Sequence, residues 1–317
     1  MNQSTEDRRD FIGYGSQPPH ARWPAEARVA VSLVVNVEEG AELSIADGDE
    51  RNEAVYDVVH EIVGAPDPCL ESHFGYGTRA GYWRIMRVLE RFGVPVTVNA
   101  CARSLARSPW LAEDILARDH EISCHGYRWE SLAGMAEDDE RRLIAKSVAA
   151  IQHASGVRPI GWHTRNASSV NTRRLLVEEG GFLYDSDAYD DDLPYIVDVD
   201  GHDHVVLPYS FDTNDMRFQG GGLFVHAEDF ARYCIDAYDA LWREGDRRPA
   251  MMSVGLHLRL IGRPGRIAGL ERFLDHVQET GGAWFARRRD IAHHWRARMS
   301  LPEWRPITGR PSNSAGT

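Results

Sequence analysis

The stretch Arg28-Val29-Ala30-Val31-Ser32-Leu33-Val34-Val35-Asn36-Val37-Glu38-Glu39-Gly40 is an almost unbroken apolar run, largely β-branched, that delivers two adjacent carboxylates onto a glycine. A half-exposed antiparallel strand would alternate apolar and polar residues. This run suits instead a central strand of a parallel sheet covered on both faces. Gly40 lets the backbone turn sharply at its end. Neighbouring residues on an extended chain point to opposite sides, so Glu38 and Glu39 are expected to do different jobs.

Working outward, Ala41 to Thr78 reads as a long irregular segment, and its aromatic residues Tyr56, Phe74 and Tyr76 point to an ordered lid. Beyond it a strand–helix rhythm sets in. Tyr82, Ile85, Val88 and Leu89 recur at helical spacing within Ala80–Arg91, and Val94–Asn99 follows as a strand. Ser108-Pro109 opens a helix to Ala117, and Glu121–Cys124 is a strand ending at His125. Ala136–Ser155 is a helix, Ile160–Trp162 a strand ending at His163, Asn171–Glu179 a helix, and Phe182–Tyr184 a strand ending at Asp185. His204–Pro208 is a strand, Ala227–Glu244 a helix, Met251–Leu256 a strand ending at His257, and Ile267–Thr280 a helix. Ala283–Phe285 and Asp290–Met299 add a last strand and helix. Such alternation predicts an α/β fold, a single-domain distorted (β/α) barrel of about seven parallel strands. Glu38, Glu39, His125, His163, Asp185 and His257 all follow strands, and in a barrel those positions share one rim. Residues 11–300 are expected to form the domain, with an N-terminal arm around Tyr14–Trp23 and the loop 41–78. Residues 1–10 and 301–317 are expected to be disordered tails.

The totals narrow the function. Lys and Arg number 36 against 48 Asp and Glu, a net charge of −12, which argues against nucleic acid or an anionic membrane as partner. Met1–Asp10 lacks the apolar core of a signal peptide, and no apolar run is long enough to span a membrane, so the expected location is cytoplasmic. Cys69, Cys101, Cys124 and Cys234 form no CxxC pair and read as reduced thiols. A phosphate-binding glycine loop, a Gly-x-Ser-x-Gly elbow and a His-Glu-x-x-His helix are all missing from the sequence.

His125 stands in Ser123-Cys124-His125-Gly126-Tyr127-Arg128-Trp129 and His257 in Gly255-Leu256-His257-Leu258-Arg259. Both follow strands, where an imidazole can serve as acid, base or metal ligand. His163 and Trp162 line the same rim, and His73 comes from the long loop. Asp185, Asp187 and Asp190–Asp192 form an acidic run that reads as a solvated or helix-capping loop in most of its members, with at most one or two facing the pocket. Arg263-Pro264-Gly265-Arg266 reads as a tight turn whose guanidiniums bind a carbonyl-rich substrate or pair with Glu271. His202, His204, His293 and His294 are taken as surface or packing residues.

These motifs together resemble the polysaccharide deacetylase (NodB-homology) superfamily, and within it the PuuE-type allantoinase-like branch. Asn36-Val37-Glu38-Glu39-Gly40 stands where deacetylases carry Thr-Phe-Asp-Asp-Gly, whose first acid is a base and second a metal ligand. His125-Gly126-Tyr127-Arg128-Trp129 stands where they carry His-x-x-x-His, the two metal histidines, and Leu256-His257 matches their late Leu-x-His, whose histidine is the general acid. The branch is matched by Phe11–Gly15, Glu38–Glu42, Tyr76–Gly81, Asp185-Ser186-Asp187, Asp192–Tyr195, Asp212–Phe218 and Gly262–Arg266. Trp129 replaces the second metal histidine, and both aspartates are glutamates.

The resemblance implies a hydrolase of non-peptide carbon–nitrogen bonds that opens a small cyclic amide or ureide, allantoin first among candidates. It implies that no cofactor is required, and that the chain forms a homo-oligomer, a tetramer. In this reading Glu38 takes a proton from water, Glu39 and His125 orient the water and the ring carbonyl, and His257 protonates the leaving nitrogen. Asn214, Arg263 and Arg266 hold ring oxygens, and Trp129 stacks on the ring beside His163. A second reading places one divalent metal, zinc, on Glu39, His125 and His73 and makes the protein a cyclic imide hydrolase or an N-acetyl-sugar deacetylase. A third makes it a catalytically degenerate binder of a small ligand.

Overall fold

The computed structural model describes residues 9–54, 61–165, 167–219 and 224–306. The expected tails fall outside these at 1–8 and 307–317, as does Tyr56 of the expected lid. Residues 301–306 lie along the last helix, where Trp304 packs on the core.

The opening stretch forms β1 (Val29–Val37), buried along its whole length as its continuous apolar character requires. The other strands are β2 (Thr97–Ala100), β3 (Glu121–Cys124), β4 (Gly161–Trp162), β5 (Tyr184–Asp185), β6 (Tyr195–Val199), β7 (His202–Val206), β8 (Ala250–His257) and β9 (Ala283–Phe285). They lie in the order β6-β7-β5-β4-β3-β2-β1-β8, and every pair is parallel except the β6–β7 hairpin. β9 pairs with Val29–Val31 at the start of β1, leaving Val34–Val37 to β2. The result is the expected α/β fold of the distorted (β/α) barrel type, its nine-stranded sheet curled into a half-barrel. The β6–β7 hairpin was not foreseen, although Asp200-Gly201 is a hairpin-turn signal.

The edge strands β6 and β8 do not pair, and the chain on leaving β7 lies beside β8. The seam is crossed by a bridge between Asn214 and Gly255 and by Met251 N–H donating to the Asp192 carbonyl at 2.8 Å. The fully buried guanidinium of Arg288 also spans it. It donates to Ser186 Oγ and Ser253 Oγ, each at 2.9 Å, to the Pro208 carbonyl at 2.9 Å and to the Leu207 carbonyl.

The helices are α1 (Pro68–Tyr76), α2 (Tyr82–Phe92), α3 (Ala102–Arg107), α4 (Pro109–Ala117), α5 (Glu137–Ser155), α6 (Thr172–Glu179), α7 (Ala227–Glu244), α8 (Pro264–Thr280) and α9 (Arg288–Arg298). Two departures bear on the site. Pro66-Asp67-Pro68 is a helix start and not a turn within a loop: the Asp67 side chain accepts from Leu70 N–H and Pro68 takes the first helical position. From α1 the chain runs through a π-helical turn, Gly77–Gly81, straight into α2, so the irregular segment stops at Asp67 and not at Thr78. Likewise Arg263-Pro264 opens α8 and is no free turn. The N-terminal arm closes the end of the barrel away from the strand C-termini. Ala21, Trp23 and Ala27 pack there with Leu183, Val205, Met251 and Trp295, and Trp23 Nε1–H donates to the Ala250 carbonyl at 2.9 Å.

Candidate active site

Register assembles the site. Val37 faces Ala100, Ala100 faces Cys124, Cys124 faces Trp162 and Trp162 faces Asp185 across successive strands. One residue further along, Glu38, His125 and His163 therefore share a rim, while Asn36 pairs with His257 on the other side of β1. Gly40, at φ 88°, turns the chain away directly afterwards.

These side chains line a cavity of about 350 Å³, with Asn36, Trp129, Arg165, Tyr209, Asn214 and Arg259 among its walls. Glu38 is its centre. His125 Nε2 lies 3.5 Å and His257 Nε2 3.9 Å from Glu38 Oε1, Arg165 Nε lies 3.5 Å from the same oxygen, and Arg259 Nη1 donates to Oε2 at 2.8 Å. Burial by itself would raise this carboxyl. Arg259, His257, His125 and Arg165 outweigh it and hold Glu38 well below the usual carboxylate range.

Each imidazole is fixed from behind. His125 Nδ1 lies 2.6 Å from the His163 carbonyl, which can only accept, so Nδ1 carries a proton and Nε2 is turned to the cavity. His257 Nδ1 lies 2.6 Å from Asp215 Oδ1, and Asp215 Oδ2 accepts from the backbone N–H groups of His257 (2.7 Å) and Ile261 (3.0 Å). Asp215 is fully buried and fastens the loop after β7 to the end of β8. His163 stacks on His125 at 5.2 Å between ring centres and directs its own Nδ1 at the Ser186 carbonyl (3.0 Å). Burial, then His125 and Arg288, push its imidazole well below the usual range, so it is neutral.

Trp129 lines the cavity with Arg165 stacked on it, the guanidinium carbon 3.3 Å from the ring centre. The Trp129 Nε1–H and the Arg259 Nε–H are buried and find no hydrogen-bond partner among the described residues. Both residues therefore have a donor to offer an incoming acceptor.

Other expected site residues are elsewhere. Glu39 points away from the cavity, toward Gly77. Its Oε2 accepts from its neighbour's backbone N–H at 3.1 Å, and burial, only partly offset by Arg259, raises its carboxyl to about 7. Asp185 is held by Arg173 (2.7 Å) and His204 Nε2 (3.0 Å) as a structural ion cluster. Arg263 caps α8, stacks over Tyr76 at 3.6 Å and donates to His73 Nδ1 at 3.3 Å, and Arg266 lies over Phe218. Neither arginine is among the cavity walls, because each is drawn onto an aromatic ring outside it. Asn214 is a wall residue, although its side chain already caps the turn at Asp215 through Met216 N–H.

The residues present do not fit the zinc site of the second reading. Glu39, His125 and His73 are not brought together, and among the described residues no three His, Cys, Asp or Glu side chains are grouped to hold a metal ion. Sequence reasoning passed over Arg165, Arg259 and Asp215. The one available signal was Arg259 itself, a charge set inside the apolar run Leu256–Ile261.

Comparisons with known proteins bear on this arrangement. Residues 63–184 match the family model for polysaccharide deacetylase. A Schizosaccharomyces pombe protein that carries the polysaccharide deacetylase name is 36% identical over 92% of this chain and 97% of its own length. The crystal structure of PuuE allantoinase is 45% identical with a TM-score of 0.88, covering 92% of this chain and 98% of that one. A Pseudomonas aeruginosa PAO1 structure, also under the polysaccharide deacetylase name, is 46% identical with a TM-score of 0.87 over the same shares.

Proposed function

Because the chain belongs to the polysaccharide deacetylase (NodB-homology) superfamily of hydrolases, in its allantoinase-like branch, we propose that it hydrolyses a carbon–nitrogen bond in a small cyclic amide of the hydantoin or ureide type, with allantoin the first candidate. One observation carries the reading. In a 350 Å³ cavity an ionised carboxylate faces the Nε2 atoms of two imidazoles, each locked by its own Nδ1 acceptor, beside buried N–H donors that a carbonyl-rich ring would satisfy.

The roles follow from the locks. Glu38, held ionised by Arg259, His257, His125 and Arg165, takes a proton from the attacking water. His125, its Nε2 3.5 Å from Glu38 Oε1, orients that water as its oxygen attacks the ring carbonyl. His257, oriented by Asp215, gives a proton from Nε2 to the ring nitrogen as the carbon–nitrogen bond breaks. Trp129 does not take the expected stacking role, because Arg165 already covers its ring face; it serves as a wall that holds that guanidinium over the cavity. The test is allantoin ring opening by purified protein, with and without exhaustive chelation. Consumption of allantoin in both arms is expected, and absence of turnover in both rejects the assignment.

A second reading, hydrolysis of N-acetyl groups on a saccharide, is favoured by one feature. A cleft of about 810 Å³ shares Tyr189, Tyr209 and Phe211 with the cavity, and Tyr189 and Phe211 stack at 4.0 Å with much of their surface exposed. Such a platform suits a sugar ring. Acetate release from N-acetylglucosamine oligomers without allantoin turnover would select it.

A further inference from the structure

Arg259 is the most constrained charged group of the cavity. Its Nη1 donates to Glu38 Oε2 at 2.8 Å and lies 3.8 Å from Glu39 Oε1. Its guanidinium carbon is 5.1 Å from the ring centre of Trp129 and 5.0 Å from that of Phe74. Glu39 and Trp129 occupy the positions that the resemblance assigns to metal ligands, and a permanent cation already stands between them. Glu38, Glu39 and Arg259 are 3%, 4% and 3% exposed. Buried carboxylates on successive residues need a positive charge beside them, and a guanidinium, weakly hydrated and always charged, is the side chain best able to supply it there. Its Nε–H, on a residue that lines the cavity, has no acceptor among the described residues.

We propose that the Arg259 guanidinium is the fixed cation of this site. It replaces a divalent metal in balancing Glu38 and Glu39, and through Nε–H it binds the carbonyl oxygen that gains negative charge when water attacks. That charge returns to the carbonyl as the carbon–nitrogen bond breaks, so no further reactant is required. The second half rests on the amide hydrolysis proposed above; the first half does not.

Two experiments test it, and they fail separately. In chelator-stripped protein, zinc binding is measured by calorimetry for Trp129→His, which restores an imidazole, and for the same variant with Arg259→Ala. The double variant is expected to bind zinc about tenfold or more tighter, because the competing cation is gone. Equal affinity of the two overturns the replacement of a metal by Arg259, whatever the substrate proves to be. With the substrate that the wild type turns over, Arg259→Ala is expected to lower kcat about 10²-fold or more with little change in KM. Added guanidinium ion should restore part of that loss, and Arg259→Lys should recover less than the guanidinium does. A kcat within about threefold of wild type in a folded Arg259→Ala protein overturns the carbonyl role. If Arg259→Ala does not fold, Arg259→Lys decides: wild-type kcat from it overturns that role as well.

Discussion

At the scale of single residues, the two acids of the Glu-Glu pair are separated by what surrounds them. Glu38 meets Arg259, Arg165 and two imidazoles and stays ionised, whereas Glu39 meets a glycine backbone and a single distant guanidinium and takes up a proton near neutrality. The consequence for stability has a definite sign. A carboxyl raised in the native state from 4.5 to about 7 lets the folded protein bind more protons than the unfolded chain in that window. Its contribution is therefore fully present below about 4.5 and lost as pH rises through about 7. Glu39→Gln mimics the protonated acid. It should melt with wild type at pH 5 and be the more stable protein at pH 8, by up to about 3 kcal/mol. Thermal melts across that range check this, and a difference that does not change with pH rejects it. Asp215 acts through His257. Asp215→Asn should leave a folded protein whose kcat is down about 10²–10⁴-fold with KM nearly unchanged, because the imidazole loses the acceptor that fixes its tautomer. A fall in KM-dependent binding alone would show that Asp215 serves the loop and not the histidine.

Among the elements, the π-helical turn between α1 and α2 does the most for the site. Gly77 comes so close to the Glu39 side chain that a β-carbon would run into the carboxylate. The wide turn lets the backbone lie flat against a buried acid, and that contact keeps Glu39 turned from the cavity. Gly77→Ala should destabilise the protein by about 1–3 kcal/mol, read as a lower urea midpoint with an unchanged slope. Wild-type stability would mean that Glu39 has room to move. The reading of 41–78 as one long loop missed α1 because Pro66-Asp67-Pro68 serves equally as turn chemistry and as a cap with proline at the first helical position. Only the packing of Leu70 and Phe74 under Trp129 decides between them.

For the whole molecule, the open seam beside β8 is held by Arg288, whose charge is buried among neutral oxygens. Arg288→Met would strand the Leu207 and Pro208 carbonyls without donors. It should cost about 3 kcal/mol or more in urea unfolding, and a cost below about 1 kcal/mol would show that the seam closes without it. The strand–helix order, the barrel and the gathering of Glu38, His125, His163 and His257 at one rim were legible in the sequence, because apolar period and strand ends are local properties. Side-chain direction was not. Whether Glu39 or Asp185 faces the cavity, and which cation reaches Glu38, depends on groups more than a hundred residues away, such as Arg259, or on a partner like His204 that is paired across the sheet. The sequence by itself determined the sheet, its rim and the chemical kind of groups placed there. The tertiary structure alone decided which of them meet, since a carboxylate takes its charge and its role from neighbours that only the closed fold brings within a few ångströms.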